Sequence, residues 1–141
     1  MKNSTHYIAL LFCLFFMPFS CKKYIQQQEV NYIVDLVTNG KWQITGYKDH
    51  MVNNLTDSFA GYLFQFNKDN TLYGVKFGQQ TNGTWAVDVS KKSITSNFPS
   101  ATYPLTLLNH TWIITDSYTD SVAAKTAVDT SFNILNLHKN G

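Results

Sequence analysis

The chain contains no arginine; its basic residues are all lysines. No bidentate guanidinium fork is therefore available for a phosphate or a carboxylate. The formal charge is only +2, and it includes Lys2 close to the N-terminus. Nucleic-acid binding needs a dense basic face, so this balance argues against it. Charged residues make up 14% of the chain, about half the usual share of a soluble domain. Cysteine is nearly absent. Cys13 and Cys21 both lie near the start, where they cannot staple a fold. Catalytic motifs are missing too. There is no Gly-x-Ser-x-Gly, P-loop or dinucleotide fingerprint. His50, His110 and His138 are far apart and lack the spacing of zinc ligands. Acidic residues are isolated apart from pairs such as Asp116 and Asp120, which read as solvated loop carboxylates rather than a glycosidase pair. The expectation is a protein that is not an enzyme and that uses no cofactor and no metal.

What is present begins with the N-terminus. Lys2 and His6 precede an apolar run from Tyr7 to Phe19. That is a charged n-region followed by an h-region of signal-peptide length. It falls short of the ~20 apolar residues of a membrane span. Ser20 then precedes Cys21. This segment resembles the signal peptide of a bacterial lipoprotein, which is cut just before a cysteine that receives the acyl chains. Residues 1–20 are then a signal peptide and Cys21 the lipid attachment site, carrying palmitate-like chains. Residues 21–28, polar and with three consecutive glutamines, are expected to form a flexible tether. The implied location is the cell envelope, anchored to a membrane by the N-terminal lipid. Lys22 stands in the second mature position, where an aspartate would signal inner-membrane retention, so the outer membrane is favoured.

From Glu29 the pattern changes. Val30, Ile33, Val34 and Val37 fall at helical spacing, and Gly40 sits where a C-cap glycine belongs. This short helix needs a partner to pack against. The partner is the sheet that follows. Aromatic residues are 15% of the chain and suit half-buried sheet surfaces. Alternation gives strands at 41–46, 59–66, 71–77, 84–89, 94–98, 110–117 and 132–138, with another short edge strand after Pro104. Residues 48–58 and 78–83 read as loops, and 118–131 as a loop or a helical turn. The reading is all-β: one domain over 29–141, an antiparallel up-and-down barrel of seven or eight strands with a short N-terminal helix.

At Gly40-Lys41-Trp42 the chain resembles the lipocalins, in which a Gly-x-Trp motif opens the first strand after a short helix. Thr115-Asp116 is similar to the Thr-Asp pair on a lower loop of that family. The family's arginine, packed over the tryptophan, has no counterpart in a chain without arginine. The nearer resemblance is to small lipocalin-like lipoproteins of bacterial envelopes. Their order is Gly-Lys-Trp, then aromatic-x-Phe-x-x-Asp-x-Thr, then Gly-Thr-Trp. It is matched by Gly40 to Trp42, Phe64 to Thr71 and Gly83 to Trp85, and the likeness spans about Val30 to Lys139. It implies a barrel whose closed end is plugged by Trp42, set against Val34 or Val37 of the helix.

Two functions follow as expectations. In the first, the barrel binds a small apolar ligand or a lipid. In the second, a filled barrel is a non-enzymatic structural module that presents loops such as 48–58 to an envelope protein partner. For the first, an aromatic stripe supplies the pocket. A turn at Asn67–Asn70 pairing Phe66 with Thr71 puts Tyr62, Phe64, Tyr73 and Val75 on one face. Their bulk points them inward, together with Trp85, and leaves Leu63, Leu72, Gly61 and Gly74 outside. An apolar cavity of ~300 Å³ or more favours the first function and a solid core the second.

Overall fold

The computed structural model describes residues 19–127 and 132–141. Most of the expected signal segment, and the side chain of Cys21, lie outside the described residues. A helix, α1 (Phe19–Thr38), comes first. It already spans the polar residues 22–28, so the expected flexible tether is helical here. Lysine and glutamine are good helix formers, and neither glycine nor proline interrupts the run; polarity was a poor guide to order. Gly40, with φ +101°, ends the helix and turns the chain into the sheet.

Nine strands follow: β1 (Lys41–Asp49), β2 (Asn53–Asn54), β3 (Leu63–Phe66), β4 (Thr71–Lys76), β5 (Gln79–Asp88), β6 (Ser93–Asn97), β7 (Thr111–Ser117), β8 (Ser121–Thr126) and β9 (Ile134–Asn140). All pairings are antiparallel, in the order β2-β1-β3-β4-β5-β6-β7-β8-β9, and β9 returns to β1. The result is a closed up-and-down barrel, with the two-residue β2 attached to the far end of β1. Closure leaves no free edge on the long strands.

Inward side chains come from every strand of the ring. Trp42, Ile44, Tyr47, Phe64, Phe66, Leu72, Trp85, Ile94, Trp112, Val122, Ala124 and Leu135 form one buried core. The inward parity of β1 changes from even to odd because its pairing with β9 slips between Ile44 and Gly46. That β-bulge carries Trp42 and Tyr47 to the same interior. Gly83 on β5 has no room for a side chain. A Cβ there would lie 2.6 Å from the Asn97 carbonyl oxygen and 2.7 Å from the Phe98 ring. The glycine thus lets Phe98 fold over the wall.

The expected strand 59–66 begins only at Leu63, after a 3-10 turn at Thr56–Phe59, and the expected loop 48–58 contains β2. Three further segments differ from the expectation. Residues 79–82 are strand, because the β4–β5 hairpin turns tightly at Phe77-Gly78, both with positive φ. The expected edge strand after Pro104 is instead a 3-10 turn, Leu105–Leu108, whose Leu105 and Leu108 drop into the barrel end. Within 118–131, residues 121–126 form strand β8, with Val122 and Ala124 inward.

The register of the β3–β4 hairpin also differs from the expected one, and it decides which face of β4 looks inward. Phe66 pairs with Leu72, Phe64 with Gly74, and Leu63 with Val75. The loop has three residues rather than four. Asn67 N–H donates to the Thr71 carbonyl at 2.9 Å, and Asn70 takes a left-handed conformation with φ +68°. The Asp69 carboxylate accepts from the Thr71 N–H and hydroxyl and fixes this geometry. One residue fewer in the loop turns every β4 side chain to the other face.

Candidate ligand cleft

The tryptophans show how the barrel is closed. Trp42 Nε1–H donates to the Val37 carbonyl at 2.8 Å and ties the barrel to α1. Trp85 Nε1–H donates to the Asn67 carbonyl at 2.9 Å, on the β3–β4 hairpin at the same end. Trp112 Nε1–H is shared between the Leu108 carbonyl and the Ser96 hydroxyl, both at 3.2 Å, at the opposite end. Each indole N–H thus finds an acceptor, on α1, on the β3–β4 hairpin and at Leu108 with Ser96.

The end holding the 3-10 turn is filled. Phe59, Phe98, Leu105 and Leu108 are buried there. The Tyr47 hydroxyl donates to the Leu107 carbonyl at 3.0 Å and accepts from Asn133 Nδ2 at 3.2 Å. Burial, with the charge of Asp49 second, pushes the Tyr47 phenol up to about 12. This group is structural. Inside the barrel a space of about 40 Å³ lies between Trp42, Phe66, Ile94, Trp112 and Leu135. The interior is packed with side chains.

Space lies instead at the helix end. A cleft of about 640 Å³ runs between α1 and the ends of β5, β6, β7 and β8. Ile33, Leu36 and Val37 form its helical wall; Val87, Val89, Ile94, Ile114 and Val122 form the barrel wall. Charged groups stand among its lining too: Glu29 on the helix, and Lys92 and Asp116 on the barrel. A straight helix laid across a round opening cannot fill it, and the cleft is what is left. Val37, Ile94, Ile114 and Val122 line both spaces, so the cleft meets the packed core directly.

None of the five expected pocket residues lines the cleft or the interior space. Phe64 and Trp85 point inward but are consumed by the core, Phe64 against the Phe98 ring at 6.4 Å and Trp85 against Phe66 at 5.5 Å. Tyr62 is half-buried, stacked on Phe64 at 5.9 Å with the Lys76 ammonium 4.9 Å from its ring. Tyr73 and Val75 sit on the outer face beside Gln65 and Leu63, as the three-residue loop requires. Two cleft residues, Ile33 and Val37, belong to the apolar helix stripe visible in the sequence. Glu29, Tyr32 and Leu36 widen that stripe on one side at the same helical spacing, and the sequence pattern does not show that this side faces a cleft. Of the structural pair, Gly40 breaks the helix and Trp42 is 1% exposed. The Lys139 ammonium lies 5.3 Å from the Trp42 ring centroid, directly across the β1–β9 pairing.

Among the described residues no three His, Cys, Asp or Glu side chains gather closely enough to hold a metal. His50 and His138 each face one carboxylate, Asp49 at 2.9 Å and Asp120 at 3.6 Å, in exposed positions. Among the described residues, no helix is long and apolar enough to cross a membrane.

No protein-family model matches the chain, and no curated protein matches it. Among solved structures it is similar to a DUF4847 family protein from Bacteroides vulgatus ATCC 8482. The two share 13% identity with a TM-score of 0.57, covering 77% of this chain and 97% of that one. At that identity the likeness shows a common fold.

Proposed function

We propose that this is a lipid-anchored protein of the cell envelope that holds a small apolar ligand, or the apolar part of a lipid, between α1 and the barrel. The observation that carries this reading is the cleft of about 640 Å³ with aliphatic walls, a size usual for small-molecule sites. The lipoprotein-like segment ending at Ser20-Cys21 and the Gly40-Lys41-Trp42 motif support the anchor and the lipocalin-like assignment. In this reading the ligand lies beside the packed interior rather than in it. Native mass spectrometry of the purified protein is the test. A mass offset that disappears when Ile114→Trp fills the cleft is expected; an offset unchanged by that substitution would sink the site. For the anchor, Cys21→Ser should release the protein from the membrane fraction. Continued fractionation with membranes would refute lipidation.

A second reading has its own observation. An interior of about 40 Å³ suits a structural or interaction module, and Met51, Val52 and Phe77 are exposed on two hairpin turns. Phe77 is 89% exposed and sits at φ +51°, a conformation that aromatic residues rarely adopt. If Phe77→Ser and Val52→Ser abolish crosslinking to an envelope protein while Ile114→Trp does not, this reading takes precedence.

A further inference from the structure

The charged groups at the rim of the cleft specify its occupant more closely than the apolar walls do. Lys92 lies in the β5–β6 turn with φ +49°. Its N–H donates to the Val89 carbonyl at 3.1 Å, and its carbonyl accepts from Ile114 N–H at 2.8 Å. The backbone that carries the ammonium is thus fixed at the cleft wall. The adjacent Lys91 has a counter-ion, Asp88 at 3.3 Å. Lys92 makes no ion pair among the described residues, although it is the one that lines the cleft. Glu29 stands on the helical wall, also without an ion pair among the described residues. Asp116 shares the barrel wall with Lys92, and one of its oxygens accepts the Ser117 N–H at 2.9 Å.

A fully apolar occupant would run beside these exposed groups of both signs and pair with none of them. An anionic head would pair with Lys92 but leave Glu29 on the opposite wall without a partner. A cationic head would have the reverse fault. We infer that the cleft takes a single-chain amphiphile with a zwitterionic head, its acid group on Lys92, its amine on Glu29, and its tail along Val87, Ile94 and Ile114. This inference rests on the cleft being the ligand site, as proposed above.

The test titrates the full chain with three probes of equal chain length, each below its micelle-forming concentration. They are a lysophosphatidylethanolamine, a fatty carboxylate and a monoacylglycerol. The zwitterion should bind about tenfold or more tighter than either other probe, a margin of about 1.4 kcal/mol. Lys92→Gln and Glu29→Gln, both at exposed positions, should each remove most of that margin by weakening the zwitterion far more than monoacylglycerol. The inference is overturned if monoacylglycerol binds as tightly as the zwitterion, if the carboxylate binds tightest, or if the margin survives both substitutions. In those cases the cleft remains a site for apolar ligands. If none of the three probes binds and native mass spectrometry shows no offset, the cleft reading itself fails and this inference with it.

Discussion

The two ends of the barrel are closed in different ways, and the difference locates the candidate site. At one end the chain between β6 and β7 folds into a 3-10 turn whose Leu105 and Leu108 fill the opening from inside. Irregular backbone adapts to the hole it must fill, so little space is left. At the other end a regular helix lies across the mouth. Its C-terminal turn is held by Val37 and Trp42, while residues 25–29 are exposed. A rigid cylinder covers a circular opening unevenly, and about 640 Å³ remains beside it. Both ends are anchored by buried side chains, and the helix end alone keeps room beside its anchor.

The largest expected effect comes from breaking the helix end. Trp42→Ala removes a buried ring and the acceptor pairing of Val37, and should cost ~3–5 kcal/mol in chemical denaturation. For a domain whose whole stability is roughly 5–15 kcal/mol, that is much of the margin. Probe binding in the cleft should fall as well, since Val37 lines both the cleft and the core. A loss below about 1 kcal/mol would mean that α1 does not depend on Trp42, contrary to its burial.

Leu108→Ala makes the matching change at the filled end. It should cost ~2–5 kcal/mol, yet leave cleft affinity within about twofold in the folded protein, because distant, independent sites behave additively. If Leu108→Ala weakened cleft binding as strongly as Trp42→Ala does, the two ends would not be separable.

Much of the barrel was legible in the sequence because alternation in β1, β5 and β7 places a tryptophan inward in each. The pocket was not legible, and one residue explains most of that. Whether Asn70 closes a three- or four-residue loop decides which face of β4 looks inward. Both faces carry apolar groups: Leu72 on one, Tyr73 and Val75 on the other. Hydrophobic pattern alone therefore could not set the register; the left-handed Asn70 and the Asp69 cap did. The 3-10 plug was missed for a related reason. Leu105 and Leu107 alternate as in a strand, but it is Leu105 and Leu108, spaced by three, that are buried. The cleft has no local signature, because it is the gap between a helix and four strand ends distant in sequence.

Tyr47 offers a finer test of the filled end. Tyr47→Phe leaves the Leu107 carbonyl without its donor and Asn133 Nδ2 without its acceptor, and should cost ~1–3 kcal/mol. It should also change the response to alkali. The folded phenol, pushed up to about 12 from 10.0, holds its proton more tightly than the unfolded one. Its contribution is therefore present in full below pH 10 and is lost as pH rises towards 12. Denaturation midpoints of the native protein should fall across that window more steeply than those of Tyr47→Phe. Parallel curves would place the phenol's titration outside the folding equilibrium.

The smallest effect concerns the cation over Trp42. In a chain without arginine, Lys139 occupies the place across the β1–β9 pairing, its ammonium 5.3 Å from the ring centroid. A cation over an indole face stabilises by ~0.5–1 kcal/mol at an exposed site. Lys139→Gln should lose about that much, and Lys139→Arg should retain or exceed the native value, because a planar guanidinium also stacks on the ring. The decisive measurement is a double-mutant cycle with Trp42→Phe, a change that keeps an aromatic ring but offers a weaker face to the cation. The cost of Lys139→Gln should shrink in that background, giving a coupling energy of a few tenths of a kcal/mol, at the low end for residues in contact. If the cost is the same in both backgrounds, Lys139 acts through its aliphatic stem on the strand and not through its charge on the ring. The helix end would then be held by the Trp42–Val37 hydrogen bond and apolar packing alone.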